Sequence, residues 1–251
     1  ALFFALPTHA VTIDWVTVGA PDNAADTDSS NDRCGPFGDQ PCGSVAYTYL
    51  IGRYETTNAQ YAEFLNAVAD TDTYGLYSTS MSSDYGGIVR TGDSGSYDYS
   101  AISGREDMPV NLVSFYDALR FANWLHNGQP TGAQDTGTTE DGAYTITAQG
   151  ITDNSITRNT GATIVLTSED EWYKAAYFNG TGYFEYPAGS DTQTTCAVPG
   201  ATANTANCDE VVDDLTNVGS YTGSASPNGT FDQGGNVWEW NEAIIYDSER
   251  V

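Results

Sequence analysis

The stretch Phe231-Asp-Gln-Gly-Gly-Asn-Val-Trp-Glu-Trp240 decides how this chain is read. Asp232 and Glu239 are carboxylates seven residues apart, and the paired Gly234 and Gly235 between them allow a tight turn that aims carbonyl oxygens inward. Calcium takes about 6 to 8 oxygen ligands, drawn from carboxylates and backbone carbonyls, and a glycine-rich acidic loop supplies both. The competing reading of the same residues is an acidic turn followed by a buried Trp-x-Trp strand.

Outward from this loop, three segments carry helical periodicity with a start signal. Thr57 with Gln60 forms a capping pattern ahead of Tyr61, Phe64, Leu65 and Val68, which predicts a helix over about 58–69. Ser114 with Asp117 precedes Phe115, Leu119, Ala122 and Leu125 on one face, and Gly128 follows the last turn. Ser168-Glu-Asp-Glu171 is a capping box with acid in the first turn, and its helix runs to about Phe178. Short strands are expected at Val45–Ile51, Tyr144–Thr147, Ile164–Leu166 and Val218–Tyr221. Long Gly-, Ser-, Thr- and Asp-rich stretches separate them, notably 70–107, 128–163 and 179–217, so loops make up most of the chain.

With 251 residues, one large irregular domain over 11–251 is expected. Residues 1–10, ALFFALPTHA, read as the remnant of a signal peptide with small residues at its cleavage end, which implies a secreted or extracytoplasmic protein. No apolar run is long enough to span a bilayer. The 34 acidic against 8 basic residues give a net charge of −26, which repels a phosphate backbone and argues against nucleic acid. Four cysteines fall into two close pairs, Cys34 with Cys42 and Cys196 with Cys208, and in an exported chain these predict two local disulfides.

Four stretches, taken together and in order, resemble the formylglycine-generating enzyme (sulfatase-modifying factor) family. They are IGRYETTNAQYAEFLNAV (Ile51 to Val68), MPVNLVSFYDALRFANWL (Met108 to Leu125), LTSEDEWYKAAY (Leu166 to Tyr177) and GGNVWEW (Gly234 to Trp240). The resemblance implies an α+β fold, an irregular and loop-rich variant of the C-type lectin fold. It also implies a calcium site formed by the Asp232 and Glu239 side chains with the carbonyls of Gly235 and Val237. A second calcium site would use Asn204, the carbonyl of Thr205 and an aspartate further on, where Asp214 is preferred over Asp213.

The family's oxidases use a copper-binding cysteine pair beyond an Arg-x-Gly-Gly-Ser motif, and the sequence stops at Glu249-Arg250-Val251, where that motif would begin. All four cysteines lie upstream of GGNVWEW. The expectation is therefore a non-catalytic, calcium-stabilised secreted domain that binds a protein or glycan ligand or takes part in surface assembly, with self-association as a third role. The alternative is a truncated copper-dependent oxidase acting on sulfatase cysteines. Iron chemistry of the facial-triad kind needs two histidines, and after signal removal only His126 remains, at a helix end.

Overall fold

The computed structural model describes residues 10–28, 40–245 and 249–250. The expected signal remnant, apart from Ala10, and Cys34 lie outside the described residues. Within them the chain is an α+β assembly of small two-stranded sheets and short helices joined by loops.

Strand β1 (Trp15–Val18) pairs antiparallel with β2 (Tyr49–Gly52), in register Trp15 to Gly52. Helix α1 (Asn58–Val68) follows, its start fixed by the predicted capping box: Thr57 Oγ1 accepts from the Gln60 N–H, and the Gln60 side chain accepts from the Thr57 N–H. Strands β3 (Ile88–Thr91) and β4 (Asp98–Ala101) form a second antiparallel pair packed on α1. Helix α2 (Phe115–His126) is capped by Ser114, and His126 at its last turn hydrogen-bonds Thr163. After the short α3 (Ala148–Thr152), helix α4 (Glu169–Tyr177) starts at a second capping box built by Ser168 and Glu171. Strands β5 (Thr195–Cys196) and β6 (Thr205–Ala206) run parallel, and β7 (Ile244–Ile245) pairs with β8 (Glu249–Arg250).

The core lies on both sides of α2. Phe121 and Trp124 meet Tyr61, Phe64, Leu65 and Val68 of α1, with Phe64 5.3 Å from Phe121 and 5.2 Å from Trp124 between ring centres. Phe115, Leu119 and Ala122, at i, i+4 and i+7, pack on Ala143, Tyr144, Ile146 and Ile156. Rings at these separations attract beyond their buried area, so this side of the molecule is held by apolar and aromatic packing.

The three expected helices begin where the sequence places them, α3 falls in an expected loop, and three expected strands are absent. Ile164–Leu166 has no strand partner because side chains satisfy its backbone: Tyr144 Oη accepts from the Leu166 N–H at 2.9 Å, and Arg158 donates to its carbonyl at 2.7 Å. Tyr144–Thr147 forms one isolated bridge, Tyr144 to Arg158, and then turns into α3, which Thr147 caps. Val218–Tyr221 is a turn whose Val218 N–H reaches the Asp107 carbonyl. Conversely, β1 and β3 through β8 were not expected. The predicted Cys196–Cys208 disulfide is present, and Cys42 is disulfide-bonded.

Candidate functional site: a buried carboxylate loop beside an apolar cleft

Helix α4 positions the 231–240 loop. Its last carbonyls are capped from outside the helix: the Asn228 amide donates to the carbonyls of Lys174, Ala175 and Phe178, and Ser226 Oγ donates to that of Ala175. The Gln233 amide donates to the Trp172 carbonyl, and the Phe231 N–H donates to the Arg53 carbonyl just beyond β2. Downstream, Trp240 Nε1 reaches the Val113 carbonyl ahead of α2, and the Glu242 N–H reaches that of Thr167 ahead of α4. Arg158 ties the ends together by pairing with both Glu171 of α4 and Glu242.

Between these anchors the backbone folds as a compact turn. Asp232 and Asn236 both adopt left-handed φ, at 65° and 64°, and the Gly235 N–H donates to the Asp232 carbonyl. A glycine at 235 is required by close approach: a Cβ there would lie 2.5 Å from the Asn207 carbonyl oxygen. The Asn236 N–H donates to that same carbonyl, so the loop rests directly on the 204–208 segment.

Asp232 and Glu239 lie near enough for the charge of Asp232 to act on Glu239. The Asp232 carboxylate accepts from the Gly219 N–H at 2.6 Å, and Glu239 accepts from Trp172 Nε1. Burial pushes the Asp232 carboxyl above its usual range. Burial, reinforced by the negative charge of Asp232, pushes Glu239 up to about 7. A third carboxylate joins them that the sequence pattern does not reveal. Glu55, three residues past β2, is raised well above its usual range by burial and by the charges of Glu239 and Asp232. Its two oxygens accept from Asn236 Nδ2 at 3.2 and 3.1 Å, and the Val237 N–H also donates to it. Nothing local marks Glu55 except its place ahead of the Thr57 cap, because its partners lie 181 residues away.

The residues expected at the second site are engaged separately. The Asn204 amide donates to the carbonyls of Thr192 and Gln193, and its oxygen accepts from Thr194. The Thr205 N–H donates to Ser224 Oγ. Asp214 forms a two-pronged pair with Arg105, at 2.8 and 2.7 Å, which holds its carboxyl below the usual range. Asp214 nevertheless connects to the first loop through backbone: Asn207 Nδ2 donates both to the Asp214 carbonyl and to Asn236 Oδ1.

No Trp-x-Trp strand forms. Trp238 is fully exposed and Trp240 partly so, because the loop anchors fix the backbone through polar groups and leave the Trp238 ring facing out. Beside the loop an apolar cleft of about 280 Å3 opens, with Glu55, Glu239, Trp172, Trp238 and Trp240 among its walls.

The donor chemistry of this loop, hard oxygens from carboxylates and carbonyls, fits calcium. The charge of Asp232 raises the proton affinity of Glu239, and both raise that of Glu55, a repulsion that a bound cation relieves. Among the described residues no group of three or more His, Cys, Asp and Glu side chains is placed to hold a metal.

Residues 25–249 match the family model described as "Sulfatase-modifying factor enzyme 1-like domain". Among solved structures, the chain is similar to the one described as "Crystal Structure of CarF", at 18% identity and a TM-score of 0.47, over 95% of this chain and 84% of that one. No curated protein matches the chain.

Proposed function

Because the chain belongs to the sulfatase-modifying factor enzyme 1-like family, with 225 of its residues inside the family match (25 through 249), we propose that it is a calcium-stabilised binding domain. Its ligand would be a protein or glycan, and it would act outside the cytoplasm. The observation that carries this reading is the set of mutually repelling, partly buried carboxylates at Asp232 and Glu239, on a loop rich in backbone carbonyls. Asp232, Glu239 and the carbonyls of Gly235 and Val237 would hold the ion, which would supply the positive charge that this turn lacks. Asn204, Thr205 and Asp214 are weaker candidates for a second ion, since their side chains already have other partners. We read the loop-rich architecture as the family's variant of the C-type lectin fold.

The cysteines among the described residues are not free to bind copper. Cys196 and Cys208 are joined to each other, and Cys42 is also disulfide-bonded, so these sulfurs do not offer the thiolate pair that copper(I) favours. Copper(I) titration with a chromophoric competitor tests this point. Tight stoichiometric binding by the untreated protein would restore the oxidase reading.

Calcium itself is tested by thermal unfolding. An ion that binds only the native state adds about 2.7 kcal/mol when its free concentration is 100 times its dissociation constant. We expect chelation to lower Tm, and Asp232→Ala or Glu239→Ala to abolish that response. Identical melting curves with calcium and with chelator would reject the site.

A further inference from the structure

We propose that the cleft beside the 231–240 loop binds a small organic ammonium ion with an apolar body, with Glu55 as its counter-ion. The wall chemistry leads there. The cleft of about 280 Å3 is bounded mainly by aliphatic and aromatic side chains, including Trp15, Tyr54, Trp238 and Trp240. Among the described residues its only acidic or basic lining groups are the carboxyls of Glu55 and Glu239. An anion would meet two carboxylates and a chain of net charge −26. A neutral hydrocarbon would desolvate those carboxylates without compensation. A bare hydrated cation would gain nothing from the aromatic walls. An ammonium group on an apolar body satisfies both, since a cation over an aromatic face is attracted most strongly when water is excluded.

Glu55 is the member of the pair that remains for such a ligand. The proposed calcium set uses Asp232 and Glu239 and leaves Glu55 out. Its carboxylate is held in place by Asn236 Nδ2 and the Val237 N–H. Two carboxylate oxygens offer about four acceptor positions, so these donors leave capacity for another. Trp238, fully exposed at the cleft, presents an indole with no packing role to compete with a ligand.

The test titrates the full chain with choline and with its neutral isostere 3,3-dimethylbutan-1-ol, following tryptophan fluorescence, in calcium and in chelator. Choline is expected to bind at least about ten-fold more tightly than the alcohol, the scale of a partly desolvated cation–π contact with a counter-ion. Glu55→Gln should remove that preference, with near-UV circular dichroism confirming its fold. Trp238→Ala, at an exposed position that leaves folding intact, should weaken choline several-fold. Equal binding of the two probes, or a preference that survives Glu55→Gln, would overturn the proposal. So would no saturable binding of either. Calcium-dependent Tm is recorded on the same samples, so a failure of the calcium reading is seen separately from a failure of this one.

Discussion

The α1–α2 region and the 187–240 region are held by different physics. Around α2, Phe64, Leu65 and Trp124 pack together on one side and Leu119 packs with Phe115 and Ala122 on the other, all almost wholly removed from water. In the C-terminal loops the regular structure is a two-residue parallel pairing, and the backbone is fixed instead by side-chain amides, a disulfide and carboxylates. Apolar packing is indifferent to pH and ions. A network of carboxylates that repel one another is sensitive to both, so the two halves should answer to different perturbations.

The largest effect is expected in the apolar half. Phe64→Ala should cost about 3–5 kcal/mol, because the ring is fully buried among Tyr61, Phe121 and Trp124. Chemical denaturation measures it, and the loss should be the same with calcium or chelator. A calcium-dependent loss would show that the two regions are coupled rather than independent.

Next comes pH. Glu239 has a folded pKa of about 7 against an ordinary value of 4.5, so the native state holds a proton that the unfolded chain has released. Stability is therefore greatest near and below the ordinary value and falls as pH rises toward 7, by about 2 kcal/mol after allowance for solvent access. Tm without calcium should decline across this window more steeply than in Glu239→Gln. Parallel profiles would break the comparison between the halves.

Gly235→Ala should follow at about 1–2 kcal/mol, since its methyl group would meet the rigid Asn207 carbonyl. Thermal melting measures the loss, which should come with weaker calcium protection. The smallest effect is Ser168→Ala, about 1 kcal/mol by the same melting assay, from loss of the hydroxyl that accepts the Glu171 N–H at the start of α4. Because α4 carries the loop through Trp172 and Gln233, the size of any calcium effect in this variant reports how far the helix positions the site.

The candidate site was half legible. Asp232 and Glu239 stand on one short stretch with glycines between them, so their nearness is suggested by the sequence, although the backbone that holds them is fixed by Gly219, Trp172 and Asn207. Glu55 was invisible because its relation to Asn236 and Val237 exists only after β2 docks against the loop, through the Phe231 N–H on the Arg53 carbonyl and the Tyr54 and Phe231 rings 5.5 Å apart. The pairing of Asp214 with Arg105, 109 residues apart, escaped for the same reason.

By itself the sequence determined the starts of three long helices, the disulfide between Cys196 and Cys208, and the family. These depend on local hydrogen bonds, on 3.6-residue periodicity and on short motifs, all written within a few consecutive residues. Only the tertiary structure decided which carboxylates share a buried space, which expected strands lost their backbone partners to side chains, and where the apolar cleft opens. Those outcomes depend on which segments, distant along the chain, exclude water together, and no local window records that.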